Sequence, residues 1–143
     1  MTTPSQIATH PTPTRRQMVT LALGLVLITT GCDAATDDAD TVSLETARTD
    51  LESGKAVLID IRETNEHATG VAKGSKLLPM SVLGARLADI PTADDKPVYL
   101  ICNTQNRSGK TLAALRQRGY KHVRYVKGGM SEWVKRGWPV VKP

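Results

Sequence analysis

The sequence predicts an α/β fold, a mostly parallel sheet covered by helices on both faces. Three observations carry that expectation. Short apolar runs at Val57–Ile61, Val98–Ile101 and His122–Val126 read as buried strands. Stretches of helical character stand between them, so strand and helix alternate along the chain. Glycines close the intervening segments at Gly54, Gly119 and Gly137, where helices stop or turns begin.

In chain order, Ser43 is a suitable N-cap, and Leu44, Ala47 and Leu51 form a helical stripe that ends at Gly54. Val57–Ile61 follows as a strand, and Asp60-Ile61-Arg62 closes it. Residues 63–70 are polar and read as helix or turn. Residues 76–80 read as a short strand, and residues 81–90 as a short helix despite Gly84. Residues 91–97 form a charged, turn-rich loop. The central strand ends at Cys102, and Ser108 is read as the first residue of a helix that carries Leu112 and Leu115 inward. After His122–Val126 come Gly128-Gly129, a short helix over residues 130–136 carrying Trp133, and a closing Gly137-Trp138-Pro139-Val140. No internal repeat is present.

The amino-terminal part reads differently. Arg15-Arg16 precedes an uncharged, mostly apolar stretch from Met18 to Ile28, then Thr29-Thr30-Gly31-Cys32. That apolar stretch is short for a bilayer span of about 20 residues and suits the middle of an export signal. Residues 1–31 are therefore expected to be a signal peptide. Thr30-Gly31-Cys32 resembles the end of a lipoprotein signal, in which Cys32 would be lipidated and tether the protein to a membrane; Thr14-Arg15-Arg16 resembles a twin-arginine export signal. Residues 32–40 are small and acidic and read as a tether, leaving 41–143 as the folded domain.

The formal charge is +5, with 19 basic and 14 acidic residues. Basic residues dominate after Cys102, where Glu132 is the one acid. Such a surface is either simply solvated or draws small anions toward the Cys102 loop. The basic residues are dispersed and no aromatic platform lies among them, which argues against a nucleic-acid partner. Two cysteines, one at the signal boundary, exclude a disulfide framework and a Cys-x2-Cys zinc site, and no metal is expected.

The chemistry is expected at Cys102-Asn103-Thr104-Gln105-Asn106-Arg107-Ser108. A lone strand cysteine is ordinarily a packing residue. Here it stands where a strand gives way to a helix start, the crevice in which open α/β sheets hold ligands. Helix-terminal amides and Arg107 favour a thiolate and an oxyanion there. Cysteine phosphatases build a comparable loop with five residues between Cys and Arg. Four are present here, a smaller ring better suited to one extra sulfur atom than to phosphate or arsenate.

Four blocks together resemble a single rhodanese (sulfurtransferase) domain: Asp60-Ile61-Arg62, residues 66–75, Cys102-x4-Arg107-Ser108, and Gly128-Gly129-Met130-x-x-Trp133 with Gly137-Trp138-Pro139-Val140. The resemblance implies that Cys102 attacks the outer sulfur of a donor such as thiosulfate, holds it as a persulfide, and passes it to cyanide or another thiol. It implies that backbone N–H groups of Asn103, Thr104, Gln105, Asn106 and Arg107 cradle that sulfur, that Arg107 shapes the loop and holds the donor's oxyanion, and that no cofactor is required. Asp60, Arg62 and Ser108 are expected to be structural neighbours of the site. The sequence departs from the family at Gln105, where glycine is usual, at Asn103, often arginine, and at Val71, Lys73 and Ser75. His67 and His122 are expected at the surface, and Trp133 and Trp138 in packing. Two other readings remain open: a non-catalytic binding or redox-sensing module, and an arsenate- or phosphate-handling enzyme.

Overall fold

The computed structural model describes residue 2 and residues 38–92 and 96–143. The chain divides into two units, residues 1–33 and 34–143. The expected signal sequence, the lipidation site Cys32 and the middle of the 91–97 loop lie outside the described residues. No helix among the described residues is long and apolar enough to cross a membrane.

The second unit is built on a five-stranded sheet of β1 (Thr41–Val42), β2 (Val57–Asp60), β4 (Lys76–Leu77), β5 (Val98–Ile101) and β6 (Val123–Val126), in the order β1-β6-β5-β2-β4. Every pairing in it is parallel, with Ile59 opposite Leu100 and Leu100 opposite Tyr125. The expected α/β class therefore holds. The most apolar strand, β5, is at the centre because both of its faces must be covered.

Side chains alternate across β5 and divide the core in two. Tyr99 and Ile101 join Leu58, Val42 and the inner face of α1 (Leu44–Glu52), together with Met130 and Trp133 of α5 (Gly129–Lys135). Val98, Leu100 and Cys102 join Ile59, Ile61 and Val123 with Leu112 and Leu115 of α4 (Asn106–Gln117). Helix α1 starts as expected, with Ser43 Oγ accepting the Thr46 N–H at 3.1 Å.

Several boundaries differ from expectation. Helix α4 begins at Asn106, two residues before Ser108, because the Gly109 N–H already bonds the Gln105 carbonyl. Residues 81–90 do not form one helix: α3 (Met80–Leu83) stops at Gly84, and a separate 3-10 turn spans Leu87–Asp89. Two pairings were not expected because each involves a strand of only two residues, too short to leave a periodic trace. One is β1 against β6. The other is an antiparallel pair of β3 (Val71–Ala72) with β7 (Val140–Val141), which fastens the chain end to the segment after α2 (Thr64–His67). His67 is buried, not superficial, and His122 is half-buried with Nε2 2.8 Å from the Pro91 carbonyl oxygen. Trp133 and Trp138 do pack together, edge to face at 5.0 Å between centroids.

Candidate active site

Strand β5 delivers Cys102 to its carboxyl end on the α4 side of the sheet. The next two carbonyls are held from the opposite face. Met130 N–H bonds the Cys102 carbonyl and Ser131 N–H bonds the Asn103 carbonyl, both at 2.8 Å. These are amides of the first turn of α5, which lack intrahelical partners. In a planar trans peptide the N–H points opposite to the C=O. Anchoring both carbonyls to α5 therefore turns the N–H groups of Asn103 and Thr104 away from α5, toward the face that carries Cys102.

The approach of α5 requires glycine. Gly129 has φ of +64°, and a Cβ there would stand 2.5 Å from the Cys102 carbonyl oxygen and 2.6 Å from that of Asn103. Both clashing atoms are backbone and cannot swing aside. The sequence marks Gly128-Gly129 as a motif, but its grip on the cysteine loop emerges only in three dimensions.

Cys102 Sγ meets the first turn of α4. Ser108 N–H donates to it at 3.4 Å, and Ser108 Oγ lies 3.4 Å from it while donating to the Gln105 carbonyl at 3.0 Å. The residue that precedes this helix, Gln105, supplies no side-chain cap, so the sulfur accepts one of the helix's otherwise unpaired amides. The amides of Asn103, Thr104, Gln105, Asn106 and Arg107 make no bond to Sγ among the described residues; the donor that reaches it belongs to Ser108. Cys102 has no exposed surface, whereas Asn103, Thr104, Gln105 and Asn106 are exposed around it.

Gln105 has φ of 168°, ordinary extended backbone, so its position does not call for the left-handed conformation that glycine would supply. Its side chain has a use of its own: Oε1 accepts the Gly128 N–H at 3.0 Å and ties the loop crest to the turn before α5.

Arg107 is paired with a carboxylate of α2. Its Nη1 and Nη2 each donate to a different oxygen of Glu66 at 2.6 Å, a bidentate pair. Glu66 is set for this by the Glu63 N–H, which bonds its Oε2 at 3.1 Å across the first turn of α2. Arg107's hydrogen bonds hold the Glu66 carboxyl down at about 2, against the opposing cost of partial burial. Reciprocally, the Glu66 hydrogen bonds raise Arg107, so the pair stays ionised. Through this pair Arg107 ties the end of the cysteine loop to α2.

Asp60 and Arg62 form the structural pair expected of them. Arg62 Nη2 lies 2.6 Å from Asp60 Oδ2 and 2.8 Å from the Gly70 carbonyl, pinning the chain between β2 and β3. His67 packs on this pair, its Nε2 3.4 Å from Asp60 Oδ1 but without hydrogen-bond geometry. No cluster of side chains suited to a metal occurs among the described residues.

A parallel sheet that presents a cysteine to a helix start, with a five-residue arc closed by an arginine, defines a cysteine-centred α/β domain. The chain belongs to the rhodanese-like family: the Rhodanese-like domain model matches residues 43–136. Among curated proteins it is 43% identical over 79 residues to the uncharacterized protein YqhL of Bacillus subtilis, covering 55% of this chain and 61% of that one. It is 34% identical over 107 residues to a sulfurtransferase of Allochromatium vinosum, covering 75% and 96%. The structure of the human single-domain sulfurtransferase TSTD1 superposes with a TM-score of 0.57 at 31% identity, covering 69% of this chain and 98% of that one. Against YqhL the match thus spans under two thirds of the relative's length.

Proposed function

We propose that this protein is a sulfurtransferase that carries sulfur as a persulfide on Cys102. The observation that carries the reading is the bonding of Sγ to the first turn of α4, at the end of the central strand. In the first half-reaction the Cys102 thiolate attacks the outer sulfur of a donor. The donor's S–S bond breaks, and its electron pair leaves with the remainder, sulfite in the case of thiosulfate. In the second, the outer sulfur of the persulfide is taken by a thiol or by cyanide, and the Cys102 thiolate returns. Ser108 steadies the sulfur in both halves. The α5 amides keep the loop's N–H groups facing the charge that builds on the outer sulfur. The names of the Allochromatium vinosum and human relatives support the reaction class.

The test is turnover by the purified domain. With a sulfane donor and cyanide, wild type forms thiocyanate and Cys102→Ser forms none. Equal rates in the two would remove Cys102 from the reaction. The complete burial of Cys102 favours a second reading, a binding module whose cysteine is not used; it predicts no turnover with any donor. A phosphatase-like reading has less support, since the arginine fork that would grip a phosphate is bound to Glu66. Release of an aryl phosphate's phenol by wild type would revive it.

We further propose that the protein is exported and held to a membrane by lipid on Cys32. Support comes from Arg15-Arg16, the apolar stretch and Thr30-Gly31-Cys32 in sequence. Cys32→Ala is then expected to move the protein from the membrane fraction to the soluble one; unchanged fractionation would rule out the anchor.

A further inference from the structure

We propose that Gln105 is a positioning residue whose side chain latches the arc around Cys102 shut, and that the sulfur reacts while this latch is open. For what enters, this rests on the sulfurtransferase reading; the latch itself rests on geometry.

Cys102 has no exposed surface. Its side chain sits on the core with Leu100, Ile61 and Leu112, and the first turn of α4 lies beside Sγ at 3.4 Å. A reagent therefore reaches the sulfur past the exposed arc of residues 103–106, and part of that arc has to move. The arc is not held equally along its length. Its start is fixed, since the Cys102 and Asn103 carbonyls accept the Met130 and Ser131 N–H groups at 2.8 Å. Its far end is fixed to α4, since the Gln105 carbonyl accepts the Gly109 N–H at 2.8 Å and the Ser108 hydroxyl at 3.0 Å. Between them the Thr104 backbone makes no hydrogen bond among the described residues.

Gln105 spans that gap sideways. Its carbonyl is tied to α4, and its side chain crosses to the start of α5, where Oε1 accepts the Gly128 N–H at 3.0 Å. The anchor is itself fixed: Gly128 has φ of +79°, and its carbonyl accepts the Ser131 hydroxyl at 3.2 Å. A glycine or alanine at position 105 would leave the arc with its two end fixings and no cross-tie. Gln105 is exposed, so water competes for both groups of this bond and it opens readily. Where closing is faster than attack, the rate at the sulfur is the intrinsic rate multiplied by the open fraction. Loss of one such hydrogen bond raises that fraction by about two- to tenfold.

The experiment compares the full-length wild type with Gln105→Met and Gln105→Glu. Methionine keeps the length of the side chain without the acceptor, and the extended φ of 168° accommodates it without strain. Glutamate keeps an oxygen for the Gly128 N–H. Alkylation of Cys102 by iodoacetamide, read by peptide mass from about pH 6 to 10, gives a profile whose midpoint reports ionisation and whose alkaline plateau reports access. The plateau is expected to rise by about two- to tenfold in Gln105→Met and to stay within about twofold of wild type in Gln105→Glu. Amide exchange at Gly128 is expected to quicken in Gln105→Met, while that at Leu100 in the central strand is unchanged. Sulfur loading of Cys102 by thiosulfate is expected to quicken in step with the plateau.

A plateau unmoved or lowered in Gln105→Met, a rise that Gln105→Glu shares, or equal acceleration of exchange at Gly128 and Leu100 would overturn the latch. Absence of sulfur loading in all three forms, with the alkylation pattern as expected, would overturn the sulfurtransferase reading and leave the latch standing.

Discussion

Cys102 is held by groups on two different helices, and each grip is sensitive to one atom. From α5 the constraint is the missing side chain of Gly129. Gly129→Ala forces a left-handed conformation on a residue with a Cβ, at roughly 1–3 kcal/mol, and presses that Cβ on two carbonyl oxygens. The expected outcome is a lower melting temperature together with loss of sulfur loading, since the loop must move for the methyl to fit. A stable variant with unchanged loading would show that α5 does not set the loop. From α4 the constraint is Ser108, whose N–H and Oγ both reach Sγ. At this scale the sequence was legible for the placement of Cys102, Arg107 and Ser108 at one strand-to-helix turn, because their spacing is local. It was not legible for Glu66, which sits 41 residues from Arg107 and reaches it only through the packing of α2 beside α4. Nor did it reveal that Gln105 bonds Gly128, a contact that depends on the fold and not on the loop's own pattern.

Among the elements, α2 is short, four residues, yet it ties the cysteine loop to the segment after β2. The Glu66–Arg107 pair gives that tie a pH dependence. The folded Glu66 carboxyl, at about 2, lies below its ordinary 4.5, so the folded state favours the ionised form. Its contribution to stability is complete above pH 4.5 and is lost as pH falls through about 2. Urea titrations between pH 5 and 2 are expected to show a steeper loss in wild type than in Glu66→Gln, and the two curves should converge at the acid end. Parallel curves across that range would mean the pair does not stabilise the fold. The elements hardest to read from sequence were the two-residue strands. A period of two needs more than one repeat to register, and β3 and β7 become strands by pairing with each other across nearly 70 residues. The helix expected over residues 81–90 failed for a local reason, since the chain leaves the helix at Gly84 and re-forms only a 3-10 turn.

For the molecule as a whole, sheet and site share one strand. Alternation along β5 sends Ile101 to the α1 side, Leu100 and Cys102 to the α4 side, and makes Cys102 the last step of the core. That is why the fold class and the place of Cys102 in it were readable together from a single apolar run ending in Cys-x4-Arg. Leu100 has no exposed surface, and Leu100→Ala is expected to cost about 2–5 kcal/mol. Its unfolding free energy from urea denaturation should fall by that amount, and a loss under about 1 kcal/mol would mean that the centre of the sheet is less tightly packed than the structure indicates. The proposed chemistry turns on whether the buried sulfur of Cys102 can accept another. The most direct measurement is the intact mass of the protein after exposure to a sulfane donor and removal of excess reagent. A gain of one sulfur in wild type, reversed by cyanide and absent in Cys102→Ser, is the predicted result. An unchanged mass with every donor, or the same gain in Cys102→Ser, would contradict it.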